Sequence, residues 1–178
     1  MLEQNVSRLI LNLDDLFTVC SKFTGFIEEY LKYAVVLLKF KERSEEELKQ
    51  DAVQIVCKVQ DRILAILKSS SGKQELTYLW ICNLLTSCCV ILSKSSTSYT
   101  NILKGNDILS IILTKLSDSH ITENEYSASL DYLLAVSLSA KGTEILFINK
   151  TLSKLCKLDL FQNLEALSNY KNSDRNPW

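Results

Sequence analysis

An all-α fold is what this sequence predicts, and three observations predict it. Apolar residues recur at steps of three and four along most of the chain. One proline and four glycines in 178 residues leave room for long, uninterrupted helices. Two short runs, Ser44-Glu45-Glu46-Glu47 and Thr122-Glu123-Asn124-Glu125, have the form of capping boxes, in which a hydroxyl and a carboxylate satisfy the free amides of a helix start. The 20 basic and 21 acidic residues nearly cancel, so no overall field points to nucleic acid or to an anionic membrane. The length suits one domain that buries about 70% of the surface its unfolded chain would expose.

Taken in order, the first helix is expected at 6–20, where Leu9, Leu13, Leu16 and Phe17 fall on one face, and Gly25 marks its break. The pattern resumes from Phe26 through Ile27, Tyr30, Leu31, Ala34 and Leu38, so a second helix should pack on the first. A charged run at 39–47 ends it, and the box at Ser44 starts a third near Glu45. In that helix Leu48, Ala52, Ile55, Val56, Val59, Ile63, Ile66 and Leu67 step by three and four while the charges fall elsewhere. Gly72 closes it.

The next stretch, LTYLWICNLLTSCCVIL at 76–92, carries no charge and is apolar on nearly every helical face. It is shorter than the roughly 20 residues a membrane span needs and is interrupted by Thr77, Asn83, Thr86 and Ser87, so a core helix enclosed by its neighbours is expected. Beyond the serine-rich loop at 93–98 come a brief turn at 99–104, an apolar helix at 107–116 and, after the second capping box, a helix at 126–138. Lys141 and Gly142 are expected to break the pattern before short helices at 143–148 and 151–158, with a closing turn or two at 160–167. The reading is one domain over 1–168, an N-terminal helical pair at 1–43 and repeat units at 44–168, then a polar tail at 169–178.

Cys20, Cys57, Cys82, Cys88, Cys89 and Cys156 lie within apolar periodic segments, which suits small core residues in a reducing compartment, the cytoplasm or the nucleus. No secretory leader is read at the start, where the first residues are acidic and Asp14 and Asp15 interrupt the apolar run.

The most specific signal is internal repetition. ELTYLWICNLLT at 75–86 corresponds to EYSASLDYLLAV at 125–136, and ILKGNDILSIIL at 102–113 corresponds to ILFINKTLSKLC at 145–156. Both units run long helix, polar turn, short helix, Gly or Asn, apolar helix, at offsets of 50 and 43 residues. The run at 105–158, GNDILSIILTKLSDSHITENEYSASLDYLLAVSLSAKGTEILFINKTLSKLCKL, resembles an armadillo repeat followed by the start of another, with HEAT repeats a close relative in pattern. The resemblance implies a right-handed α-α superhelix of stacked repeats. In peptide-binding armadillo proteins the long helix carries an Asn, often beside a Trp. Trp80 and Asn83 match that pattern, but the next unit has Leu133 at the matching position, so a long peptide-gripping ladder is not implied.

Function is therefore expected to be protein interaction. The implied docking groove, lined by the long helices around Trp80, Asn83 and Tyr132, would take a helix or a short linear segment of a partner. A plainer account places Trp80 in the core and has Asn83 bond a nearby carbonyl. Lys150, Lys154 and Lys157 fall at i, i+4 and i+7, with Lys141 near, and could meet phosphates or an acidic partner, although a solvated face is the simpler account. A second copy of the chain is a further possible partner; nucleic acid is an alternative, and no membrane is expected. No cofactor and no metal are expected, because His120 is the only histidine and Cys82, Cys88 and Cys89 share one helix. Asp118-Ser119-His120 holds the residue types of a hydrolase triad, but neighbours in one turn cannot take up its geometry, and no enzyme is expected.

Overall fold

The structure, a computed structural model, describes residues 27–39, 44–68, 75–93 and 106–158. The helix expected at 6–20, the turn at 99–104, the segment at 160–167 and the tail at 169–178 lie outside the described residues. Every described element is an α-helix. They are α1 (Ile27–Leu38), α2 (Glu45–Lys68), α3 (Glu75–Leu92), α4 (Asn106–Leu116), α5 (Glu123–Ser137), α6 (Ala140–Ile148) and α7 (Thr151–Leu155).

Both capping boxes form. The Ser44 and Glu47 groups bond reciprocally, with the Ser44 amide donating to Glu47 Oε2 at 3.0 Å. At the start of α5 the Glu125 amide donates to Thr122 Oγ1 at 3.2 Å and the Thr122 amide to Glu125 Oε2 at 3.1 Å. These contacts satisfy amides that a helix start leaves free, and each cap stabilises its helix by about 1 kcal/mol.

The helices form two layers about one core. α3 lies between α1 and α5, α2 packs on α3 from the other layer, and α4 packs on α2 and α5. The Cys88 thiol near the end of α3 approaches the Ala52 carbonyl near the start of α2, 4.0 Å away, so these two helices run antiparallel. α3 instead runs alongside α5 in the same direction: Glu75 meets Thr122 and, further along both, Tyr78 meets Ser129. Lys68 at the end of α2 pairs with Asp107 at the start of α4 at 3.1 Å.

α3 supplies Tyr78, Ile81, Cys82, Leu84, Leu85, Cys88, Cys89 and Leu92 to the core. Removing each large apolar side chain from water stabilises the fold by about 1.5–3 kcal/mol. By length and hydropathy α3 could cross a membrane, but here it is the helix on which α1, α2 and α5 converge.

Three expectations need correction. α3 is not enclosed on every side, because one stripe of it stays open. Its other sides are covered by α1, α2 and α5. Cys57 and Cys156, expected as core residues, are exposed. Lys141 and Gly142 do not break the chain but lie in the first turn of α6, capped by Ser139, whose Oγ accepts from the Gly142 amide at 2.9 Å. Glycine is needed there because any Cβ would collide with the Val136 carbonyl oxygen at the end of α5.

Candidate functional site

The open stripe of α3 is built from residues seven apart. Leu76 is 52% exposed, Val90 is 50% exposed, and Asn83 midway between them is exposed as well. Between these lie Leu79, Trp80 and Ser87, each half-buried. A seven-residue interval drifts only about 20° around a straight helix, so these side chains stay in one line along its length.

Asn83 Nδ2 donates to the Leu79 carbonyl at 3.0 Å, and Ser87 Oγ donates to the Asn83 carbonyl at 2.9 Å. These bonds to the preceding turn use side-chain donors that would otherwise face solvent, and they leave the Asn83 amide oxygen without a partner among the described residues. The Trp80 ring packs against the core, but its Nε1 is buried without a hydrogen bond. An orphaned donor of this kind costs about 1–3 kcal/mol. The Lys32 ammonium of α1 sits 6.0 Å from the Trp80 ring centroid. The hydrogen bonds Lys32 donates to the carboxylates of Glu29 first, and of Glu28, raise its pKa, so the cation over the ring is held charged.

Trp80 and Asn83 thus stand one turn apart at the stripe, as their spacing requires. Tyr132 does not join them. It is 1% exposed and belongs to the core, because the face of α5 that carries it turns inward. Leu76 and Val90 are the stripe members not singled out from sequence. Their interval with Asn83 was visible there, but apolar residues on every face of the segment obscured it.

A polar seam fixes α5 against α3 beside this stripe. Thr122 Oγ1 donates to Glu75 Oε1 at 2.8 Å, and the Lys115 ammonium of α4 lies 3.4 Å from the buried Glu125 carboxylate. Deeper in, Ser129 Oγ donates to the Glu125 carbonyl at 2.6 Å, which makes Tyr78 the donor in its 2.7 Å bond to Ser129 Oγ. Burial raises the Tyr78 pKa, so its hydroxyl keeps the proton that this bond uses. Burial likewise pushes the Cys82 thiol up to about 12 and the Cys88 thiol well above its ordinary value. Neither supplies a thiolate nucleophile near neutral pH.

The four lysines are placed differently from one helical face. Lys141 is in α6 and bonds Glu144 at 2.7 Å. Lys150 is the N-cap of α7 in the left-handed conformation, φ 52, ψ 37, and α7 is five residues long. Lys154 lies within α7 and Lys157 in the turn after it, so the i, i+4, i+7 argument fails for want of a continuous helix. Among the described residues no three His, Cys, Asp or Glu side chains gather as metal ligands. Comparison with known proteins finds no matching family model, no similar curated protein and no similar solved structure.

Proposed function

We propose that the chain is a non-catalytic protein-interaction scaffold, a short armadillo- or HEAT-like stack whose central helix offers a docking stripe to a helix of a partner. The observation that carries this reading is the exposed line Leu76, Asn83, Val90 on a helix that gives eight other side chains to the core. Support for stacked units comes from the starts of α1, α3 and α5 at 27, 75 and 123, two equal intervals of 48 residues, and from their packing in that order.

A stripe of period seven suits a partner helix crossing at a shallow angle of about 20°. The apolar residues at its ends supply area, and Asn83 at its middle favours a partner that places a hydrogen-bonding side chain at that level. Such a polar position costs some affinity but fixes register. An extended peptide would need a ladder of such amides, and at the 48-residue interval the position matching Asn83 is Asp131, a carboxylate.

The reading is tested with a photo-crosslinking residue at position 87 in the full chain in cells, followed by sequencing of the crosslinked segment. The expected product is an amphipathic helix with apolar residues at heptad spacing, lost on Leu76→Asp with Val90→Asp in protein that keeps its circular dichroism. A second copy of this chain crosslinked through the same stripe would identify the partner helix as its own α3. Crosslinks unchanged by the double substitution would overturn the docking site.

A further inference from the structure

The region that the helix-docking reading does not use is the tip where α6 turns into α7. Phe147 is 84% exposed, Ile148 66% and Leu152 77%. Within the same few residues lie Lys150 and Lys154, with Lys157 just beyond, all exposed. Lys141 is engaged by Glu144, but Lys150, Lys154 and Lys157 have no ion pair among the described residues. From 140 to 158 the chain carries four lysines and one glutamate, a local charge of +3 on a protein whose net charge is -1.

These features belong together chemically. An exposed Phe beside Ile and Leu loses free energy in water, and unpaired lysines around it are drawn to anions. Three side chains present on the order of 400 Å². A partner in a stable protein complex covers about 800 Å² on each side, so the tip alone is too small for such an interface. A bilayer requires no matched surface: apolar side chains enter the boundary between headgroups and acyl chains, and ammonium groups stay among the headgroups. A nucleic acid would use the lysines but gain little from Ile148 and Leu152.

We propose that this tip is a membrane-surface contact, in which Phe147, Ile148 and Leu152 insert shallowly and Lys150, Lys154 and Lys157 hold anionic phospholipid headgroups. The attachment is peripheral and reversible, because three apolar side chains fall short of a stable anchor. Near-neutral overall charge does not oppose it, since headgroup attraction acts within about a Debye length, roughly 8 Å in physiological salt. A lipid surface, which composition alone set aside, is thus favoured by the placement of the charge.

Co-sedimentation of the full chain with vesicles tests this, using phosphatidylcholine alone against phosphatidylcholine with about a quarter phosphatidylserine. Binding is expected to the phosphatidylserine vesicles, and to weaken as salt rises. Lys150→Glu with Lys154→Glu should lower it at least about tenfold, since each lysine near the surface contributes comparably. Phe147→Ser with Leu152→Ser should lower it severalfold at unchanged circular dichroism. A polarity-sensitive dye on Cys156, in a Cys20→Ser, Cys57→Ser background, should shift to the blue on vesicle addition.

No partitioning onto phosphatidylserine vesicles would overturn the proposal. Partitioning indifferent to both pairs of substitutions would do the same, and so would tight binding to single-stranded polynucleotide without vesicle binding. Leu76→Asp with Val90→Asp should leave vesicle binding unchanged, so failure here is distinct from failure of the docking stripe.

Discussion

α3 and the α6–α7 tip are both apolar in sequence, yet they end in opposite environments. α3 gives eight side chains to the core, whereas Gly142 is the one buried residue of α6 and Thr151 the one buried residue of α7. The difference lies in neighbours. α3 has a helix on either side in its own layer and another across from it, while the described contacts of α6 are with α5 behind it and α7 ahead. Apolar pattern thus decides that a helix has something to bury, and position in the stack decides whether it can. One consequence is that the two regions should respond to damage on different scales.

The largest effect is expected at the centre. Leu85 is fully buried on α3, where α1, α2 and α5 meet, and Leu85→Ala removes its methyl groups while leaving a cavity that helices held on three sides cannot close. A loss of about 3–4 kcal/mol in chemical denaturation is expected, with a single transition for the whole domain. A loss below about 1 kcal/mol would mean that α3 is not the common core element.

Gly142→Ala should cost less and act locally. The added methyl meets the Val136 backbone, which cannot rotate away as a side chain would, so α6 must move off the end of α5. Because α6 and α7 bury little, their release limits the penalty to about 2 kcal/mol. Hydrogen exchange should show amides of 140–158 losing protection while α3 keeps its own. Uniform loss of protection across both regions would show that the tip and the core form one cooperative unit.

Much of the core was legible in sequence because the signals that define it are local. Ser44 with Glu47 and Thr122 with Glu125 announce helix starts through groups three residues apart, and the steps of three and four in α2 name its buried face. What was not legible depends on what lies opposite. Gly142 reads as a breaker until the Val136 carbonyl is seen against it, and Tyr132 reads as a groove residue until the inward face of α5 is fixed. Phe147 and Leu152 have ordinary helical spacing; only the lack of a covering helix among the described residues sets them apart. The stripe lies between these cases, since the interval Leu76, Asn83, Val90 is in the sequence but its exposure is a property of the packing.

The smallest effect has the opposite sign. Lys150 is the one described residue other than glycine with positive φ, and it holds the left-handed conformation at the hinge between α6 and α7. Its Cβ crowds the following carbonyl, a strain of about 1 kcal/mol that glycine does not feel. Glycine loses more backbone freedom on folding, so Lys150→Gly should stabilise the tip by about 0.5 kcal/mol net. Removing the strain and the charge together separates two roles of this residue. If Lys150 serves only the turn, Lys150→Gly should raise protection of 147–155 in hydrogen exchange and leave vesicle binding intact. If its ammonium meets headgroups, the same variant should be more protected and yet bind phosphatidylserine vesicles severalfold more weakly. Lys150→Gln is the discriminating control, because it removes the charge and keeps the crowded Cβ.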